Sequence, residues 1–182
     1  GFCRSILRLC GWRVFEDVPR PPRAVLIAYP HTSNWDAFYG LLAAFALGGG
    51  IHWMAKDVAF RWPLGGLMKR LGGIPVNRRE RSNAVAQMID EFAGRERFVL
   101  GITPEGTRRR TGGWKTGFYR IATGAGVPLL IGVIDYGRKE AGILARLDLV
   151  GDRDADLARI ASCYAGRRGR HPQQASPIRW LD

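Results

Sequence analysis

The sequence predicts a single α/β domain with a largely parallel sheet, and three observations carry that prediction. Short uninterrupted apolar runs alternate with segments of helical periodicity along most of the chain. The runs are apolar throughout rather than at alternate positions, as expected of strands buried on both faces. The chain has 182 residues, 46% hydrophobic and 24% charged, which suits one globular domain with a sizeable core.

The elements follow in order. Residues 2–12 read as a short amphipathic helix, with Phe2, Ile6, Leu9 and Cys10 apolar and Arg4 and Arg8 elsewhere. A chain beginning Gly-Phe reads as the remainder of a longer segment. Three prolines within residues 17–23 exclude helix and central strand, so residues 1–23 are a helix plus linker. Residues 24–29 (AVLIAY) form the first strand, and residues 34–47 a helix with Ser33 or Asn34 as its cap. Residues 51–55 are a second strand. Pro63 and Gly65-Gly66 break residues 58–71 into two short helical pieces, and residues 73–76 form another strand. Residues 82–93 are helical, with Val85, Met88, Ile89 and Phe92 on one face. Strand follows at 98–102, a polar loop at 103–114, helix at 117–125 and strand at 129–134. Residues 143–150 suggest a strand and 154–164 a helix, closing a domain at 24–165; residues 166–182 form a basic, irregular tail.

Composition narrows the function classes. There are 28 basic and 16 acidic residues, for a net charge of +12, and all but four of the basic residues are arginine. The planar guanidinium fork suits phosphate oxygens, so phosphorylated partners fit. Three cysteines without close spacing give neither a disulfide framework nor a metal signature. No apolar stretch approaches the ~20 residues of a spanning helix, and Arg4 and Arg8 interrupt any secretory signal. The sequence therefore predicts a cytoplasmic protein, at most peripheral to the inner face of a membrane.

Four stretches carry chemistry. Pro30-His31-Thr32-Ser33-Asn34-Trp35-Asp36 directly follows a buried strand and opens a helix. In open α/β sheets functional groups gather at the carboxyl ends of strands, where His31 falls. On an ideal helix His31 and Asp36 would diverge by about 140°, so they meet only if His31 sits in the preceding turn. Asp36 would then fix one ring nitrogen and leave the other as a base. Taken alone, a capping histidine with Asp36 on the solvent face is the commoner outcome. Thr103-Pro104-Glu105-Gly106-Thr107-Arg108, again after a strand, combines a glycine that admits close approach with donors for oxygens and an arginine for phosphate. Alone it is also a polar turn. Gly73-Ile74-Pro75-Val76-Asn77-Arg78 ends a strand in an arginine, and Val127-Pro128-Leu129-Leu130 reads equally as a core strand.

In this order, an H-x4-D motif, a G-x-I-x-V-x-R motif, a P-E-G-T-R motif and a V-P-apolar-apolar motif, the chain resembles the glycerolipid acyltransferases. The best-known of these act on 1-acylglycerol 3-phosphate. The likeness runs from about Leu26 to Ile134. It implies a mixed, mostly parallel sheet flanked by helices, and O-acyl transfer from acyl-CoA or acyl-carrier protein to the hydroxyl of a lysophosphatidate-like lysophospholipid. It assigns His31 as general base and Asp36 as the residue orienting it. Arg78, Glu105, Gly106, Thr107 and Arg108 fall on the acceptor-binding positions; Lys115, just after that loop, reads either as a further phosphate contact or, more commonly, as a solvated lysine beside a packed aromatic. It implies no metal, no cofactor and no covalent enzyme intermediate. Backbone N–H groups near Gly106 are the expected oxyanion donors. Pro30, Pro75, Thr103 and Gly132 depart from residues common in the family and flank the His31–Asp36 pair without removing it.

Phe60, Trp62, Leu64, Leu67, Met68 and Leu71, interleaved with Arg61, Lys69 and Arg70, read either as a core helix pair or as a patch for an anionic membrane. The arginine runs at 78–81, 108–110 and 167–170 and the six tryptophans also suit nucleic acid, but no nucleic-acid module is visible and none is expected as partner. A hydrolase that uses His31 to activate water stays open. A serine esterase lacks its G-x-S-x-G elbow.

Overall fold

A computed structural model describes residues 1–181 except 62, 64 and 77–80. Seven strands form one mixed sheet: β1 (Arg13–Glu16), β2 (Arg23–Tyr29), β3 (Ile51–Lys56), β4 (Gly73–Val76), β5 (Phe98–Ile102), β6 (Leu129–Asp135) and β7 (Glu140–Leu147). Their spatial order is β1-β7-β6-β2-β5-β3-β4. The five strands from β6 to β4 run parallel; β7 is antiparallel to β6 and carries β1 in parallel beyond it. The fold class is the one the sequence predicts. β1 is the addition, hidden because Arg13 and Glu16 break its apolar pattern at an edge where both face solvent.

β2 lies at the centre and shows why continuous apolar runs are needed there. Val25 and Ile27 join the cluster formed with α4 (Arg81–Ala93), α5 (Gly117–Ala125) and α6 (Arg153–Cys163). Ala24 and Leu26 point to the opposite face, with Val99, Leu130 and Ile143. That second face is covered by α1 (Phe2–Leu9) and α2 (Trp35–Ala46), through Leu7, Trp12, Ala43 and Ile134. α1 buries Leu7 and not the predicted apolar set, for Phe2 and Leu9 are 80% and 89% exposed. The broken segment before β4 contains a short 3-10 turn (Asp57–Phe60) and α3 (Gly65–Arg70). No helix among the described residues is long and apolar enough to cross a membrane.

Strand direction decides where the ends of the chain go. β7 descends away from the carboxyl edge of the parallel strands, and α6, capped by Asp152 through the N–H groups of Asp154 and Ala155, climbs back. The chain emerges at Tyr164, which is buried and hydrogen-bonds the carbonyls of Ile27 (3.1 Å) and Gly132 (2.9 Å). The tail from Ala165 onward thus starts on the carboxyl edge of the sheet. Its one regular element is a 3-10 turn at Pro172–Gln174, and Trp180 bridges to Trp114.

Removing the Tyr164 hydroxyl takes away the one O–H donor that the Ile27 and Gly132 carbonyls share. Tyr164→Phe is expected to lower unfolding stability by about 1–2 kcal/mol with an unchanged urea m-value. An unaltered midpoint would mean that this hydroxyl does not clamp β2 to β6.

Candidate active site

Three adjacent parallel strands, β5, β2 and β6, end side by side, and each delivers one part of the site. β2 ends at Tyr29 and is followed by a cis Tyr29–Pro30 bond and His31. β5 runs into the loop bearing Glu105, and β6 ends just before Tyr136.

His31 sits in the turn before α2, and Asp36 in its first turn reaches back. Nδ1 of His31 lies 3.1 Å from Oδ2 of Asp36. That same oxygen accepts the backbone N–H groups of Thr32 (2.7 Å) and Ser33 (2.9 Å), while Oδ1 accepts the Tyr136 hydroxyl at 2.8 Å. Asp36 is therefore the cap of the His31 turn as well as the partner of the ring. Asn34 occupies the formal cap position of α2 without a side-chain bond, and Ser33 Oγ accepts from Trp35 N. Burial alone pushes the Asp36 carboxyl up, but the hydrogen bonds from His31, Ser33, Tyr136 and Thr32 outweigh it and hold its pKa below the ordinary value. An ionised carboxylate only accepts, so Nδ1 is the donor, and in the neutral ring Nε2 carries the lone pair. The Tyr136 phenol is driven well above its usual range by burial and by its bond to Asp36, so it stays a neutral donor.

Glu105 holds the other side of His31. It is fully buried; Oε2 accepts the backbone N–H of His31 at 2.6 Å and Oε1 that of Ser176 at 2.7 Å. Burial raises its pKa despite those bonds. The carboxylate is spent on two backbone segments and faces no open space. Gly106 has φ +65, and a Cβ there would lie 2.8 Å from Lys115 Nζ, so glycine permits both the turn and the approach of that ammonium. The Gly106 N–H is bonded to the Thr103 carbonyl, which removes it from the expected set of oxyanion donors. Thr107 Oγ1 accepts from Arg109 N at 3.3 Å. Arg108 and Lys115 are exposed, as are Arg109 and Arg110. Arg78 lies outside the described residues.

Sequence reasoning missed the roof of the site, which is the tail. His171 N donates to Thr32 Oγ1 (3.1 Å), Tyr29 donates to the Ser176 carbonyl (3.1 Å), and Ser176 Oγ accepts from Thr111 N (3.0 Å). The Gln174 amide, with its nitrogen turned inward, spans the carbonyls of Arg108 (2.9 Å) and Thr32 (3.0 Å). The loop of residues 103–110 and the His31 turn are thus within one amide group of each other. The arginine run at 167–170 was visible in the sequence, but nothing local said that it crosses the site; Tyr136 could have been suspected only from its place at a strand end. A cavity of about 590 Å³ lies at the opposite edge near Arg20, Gly49, His52 and Arg97 and contains none of these groups.

A family model described as Acyltransferase matches residues 13–133, more than half of the chain. No curated protein and no solved structure matches.

Because the Asp36 pKa is lowered, its stabilisation is present above the ordinary carboxylate pKa of ~3.9 and disappears as pH falls through its folded value. Asp36→Asn should cost about 2–3 kcal/mol at pH 7, a gap that narrows below about pH 4 when urea unfolding is followed across a pH series. A difference constant from pH 7 to pH 3 would show that the carboxylate charge is not what braces the turn.

Proposed function

The chain belongs to the acyltransferase family, and we propose that it transfers a fatty acyl group from acyl-CoA or acyl-carrier protein to the hydroxyl of a phosphate-bearing lysophospholipid, a lysophosphatidate-like acceptor in phospholipid synthesis. The observation that carries the reading is the His31–Asp36 contact of 3.1 Å, with the ring held through Nδ1.

The chemistry follows from that geometry. Nε2 takes the proton of the acceptor hydroxyl as its oxygen attacks the thioester carbonyl. Asp36 stabilises the imidazolium that results. Collapse of the tetrahedral intermediate breaks the carbon–sulfur bond, and the imidazolium returns the proton to the departing thiolate. The products are an ester and a free thiol, and the base ends as it began. A thioester is already activated, so positioning and proton removal are the main tasks. Glu105 acts in this scheme as a positioning residue, fixing the His31 backbone, while the exposed cations Arg108, Arg109, Arg110 and Lys115 favour an anionic acceptor.

Exposed apolar side chains support an interfacial setting. On α2, Trp35, Phe38 and Phe45 are about half exposed, and α1, which packs on α2, exposes Phe2 and Leu9 and carries Arg4 and Arg8. We place the contact with an anionic membrane on this two-helix surface. In the 58–71 segment Leu67 is half exposed, whereas the Phe60 ring packs beside Gly73.

Labelled acyl-CoA and acyl-carrier protein, offered with a panel of lysophospholipids, test the reading. Transfer to lipid should fall by about 10²–10⁴-fold in His31→Ala. Thioester loss without acylated lipid would make the protein a hydrolase instead, and salt-sensitive nucleic-acid binding without acyl chemistry would remove it from this class.

A further inference from the structure

The tail does more than cover the site. Gly169 is buried against the catalytic turn, where a Cβ would sit 2.6 Å from Thr32 Oγ1 and 3.2 Å from Pro30 Cβ. Only glycine lets the backbone come this close. With His171 N on Thr32 and Ser176 N on Glu105, the residues on both sides of Arg170 are fixed relative to His31. The Arg170 guanidinium carbon then lies 5.9 Å from the ring centres of both Trp35 and Tyr136. Tyr136 is the residue whose hydroxyl binds Asp36, so a cation stands one side chain away from the His31–Asp36 pair.

Its neighbours in the tail are used differently. Arg167 is committed to Asp135 (3.4 Å) and Glu140 (3.0 Å), and Arg179 to the Gly112 carbonyl. Arg170 is exposed and, among the described residues, makes no ion pair or hydrogen bond. A guanidinium held about equally far from two ring faces, with no carboxylate or carbonyl on it, keeps its N–H donors available to an oxyanion. Asp36, the nearby carboxylate on the Tyr136 hydroxyl, is buried with four donors already on it.

We propose that Arg170 binds the phosphate of the acceptor, supplied by a tail segment beyond the residues that the family model matches. The proposal rests on the reading that the acceptor carries a phosphate. It gives the site a cation that approaches from the Tyr136 side, opposite in chain order to the arginines that follow β5.

Binding of glycerol 3-phosphate, followed by NMR chemical shifts on the full chain, separates this proposal from the acyl-transfer reading because no acyl donor is present. Arg170→Ala should weaken binding by about 10- to 100-fold, and Arg170→Lys should recover part of the loss. Both variants should keep the wild-type Tm. CoA, which also carries phosphates, is the second probe and should bind all three proteins alike. Equal glycerol 3-phosphate affinity in wild type and Arg170→Ala overturns the proposal and leaves the acyltransferase reading standing. A loss confined to CoA overturns it by moving the contact to the donor. A lowered Tm in Arg170→Ala and Arg170→Lys with unchanged binding makes Arg170 a brace for Trp35 and Tyr136. Wild type that ignores glycerol 3-phosphate overturns the proposal together with the phosphate-bearing acceptor.

Discussion

A buried carboxylate with four donors on its two oxygens organises this molecule. Asp36 is 2% exposed and collects Thr32 N, Ser33 N, His31 Nδ1 and the Tyr136 hydroxyl. An unpaired charge at such a depth would be costly, and any one missing donor would leave part of that cost uncovered. The four donors come from the turn after β2 and from the end of β6, so the carboxylate fixes the relative position of two strand ends. The histidine ring is oriented by a group that the fold cannot release without loosening itself. Stability and chemistry are joined here at one side chain.

Glu105 is the counterpart. The two carboxylates grip His31 from different directions, Asp36 through the ring and Glu105 through the backbone N–H. Their environments push their pKa values apart: direct bonds lower Asp36 and burial raises Glu105. Glu105 also ties the tail to the His31 turn through Ser176 N. The arrangement requires β5, β2 and β6 to be neighbours, which the topology provides. Residues 105, 31 and 136, distant in sequence, become adjacent because their strands are.

Much of this was legible in the chain and some was not, for identifiable reasons. Strands buried on both faces, such as β2 and β6, announce themselves as apolar runs; β1, with exposed Arg13 and Glu16 at the sheet edge, does not. The His31–Asp36 pairing was readable as a spacing, but its geometry depended on a turn whose donors are backbone groups. Glu105 was noticed for its motif, while its partners could not be inferred because one of them, Ser176, lies 71 residues away in an irregular segment. The tail has neither periodicity nor apolar continuity, so nothing in it predicts docking; its contacts are backbone amides and single side chains. α1 shows the opposite error, where a helical apolar face was read correctly as a pattern yet faces outward, Leu7 being the anchor. On the two helices that cover this side of the sheet, Phe2 and Leu9 of α1 and Trp35, Phe38 and Phe45 of α2 are left exposed.

The account stands on the tautomer of one imidazole, and nitrogen-15 NMR of the histidine side chains reads it directly. The chain has three histidines, and a His31→Gln variant identifies the signals that belong to residue 31. In the neutral ring the account predicts a proton on Nδ1, shifted downfield by the Asp36 carboxylate, and a bare Nε2. A spectrum with the proton on Nε2, and no shared proton toward Asp36, would contradict it.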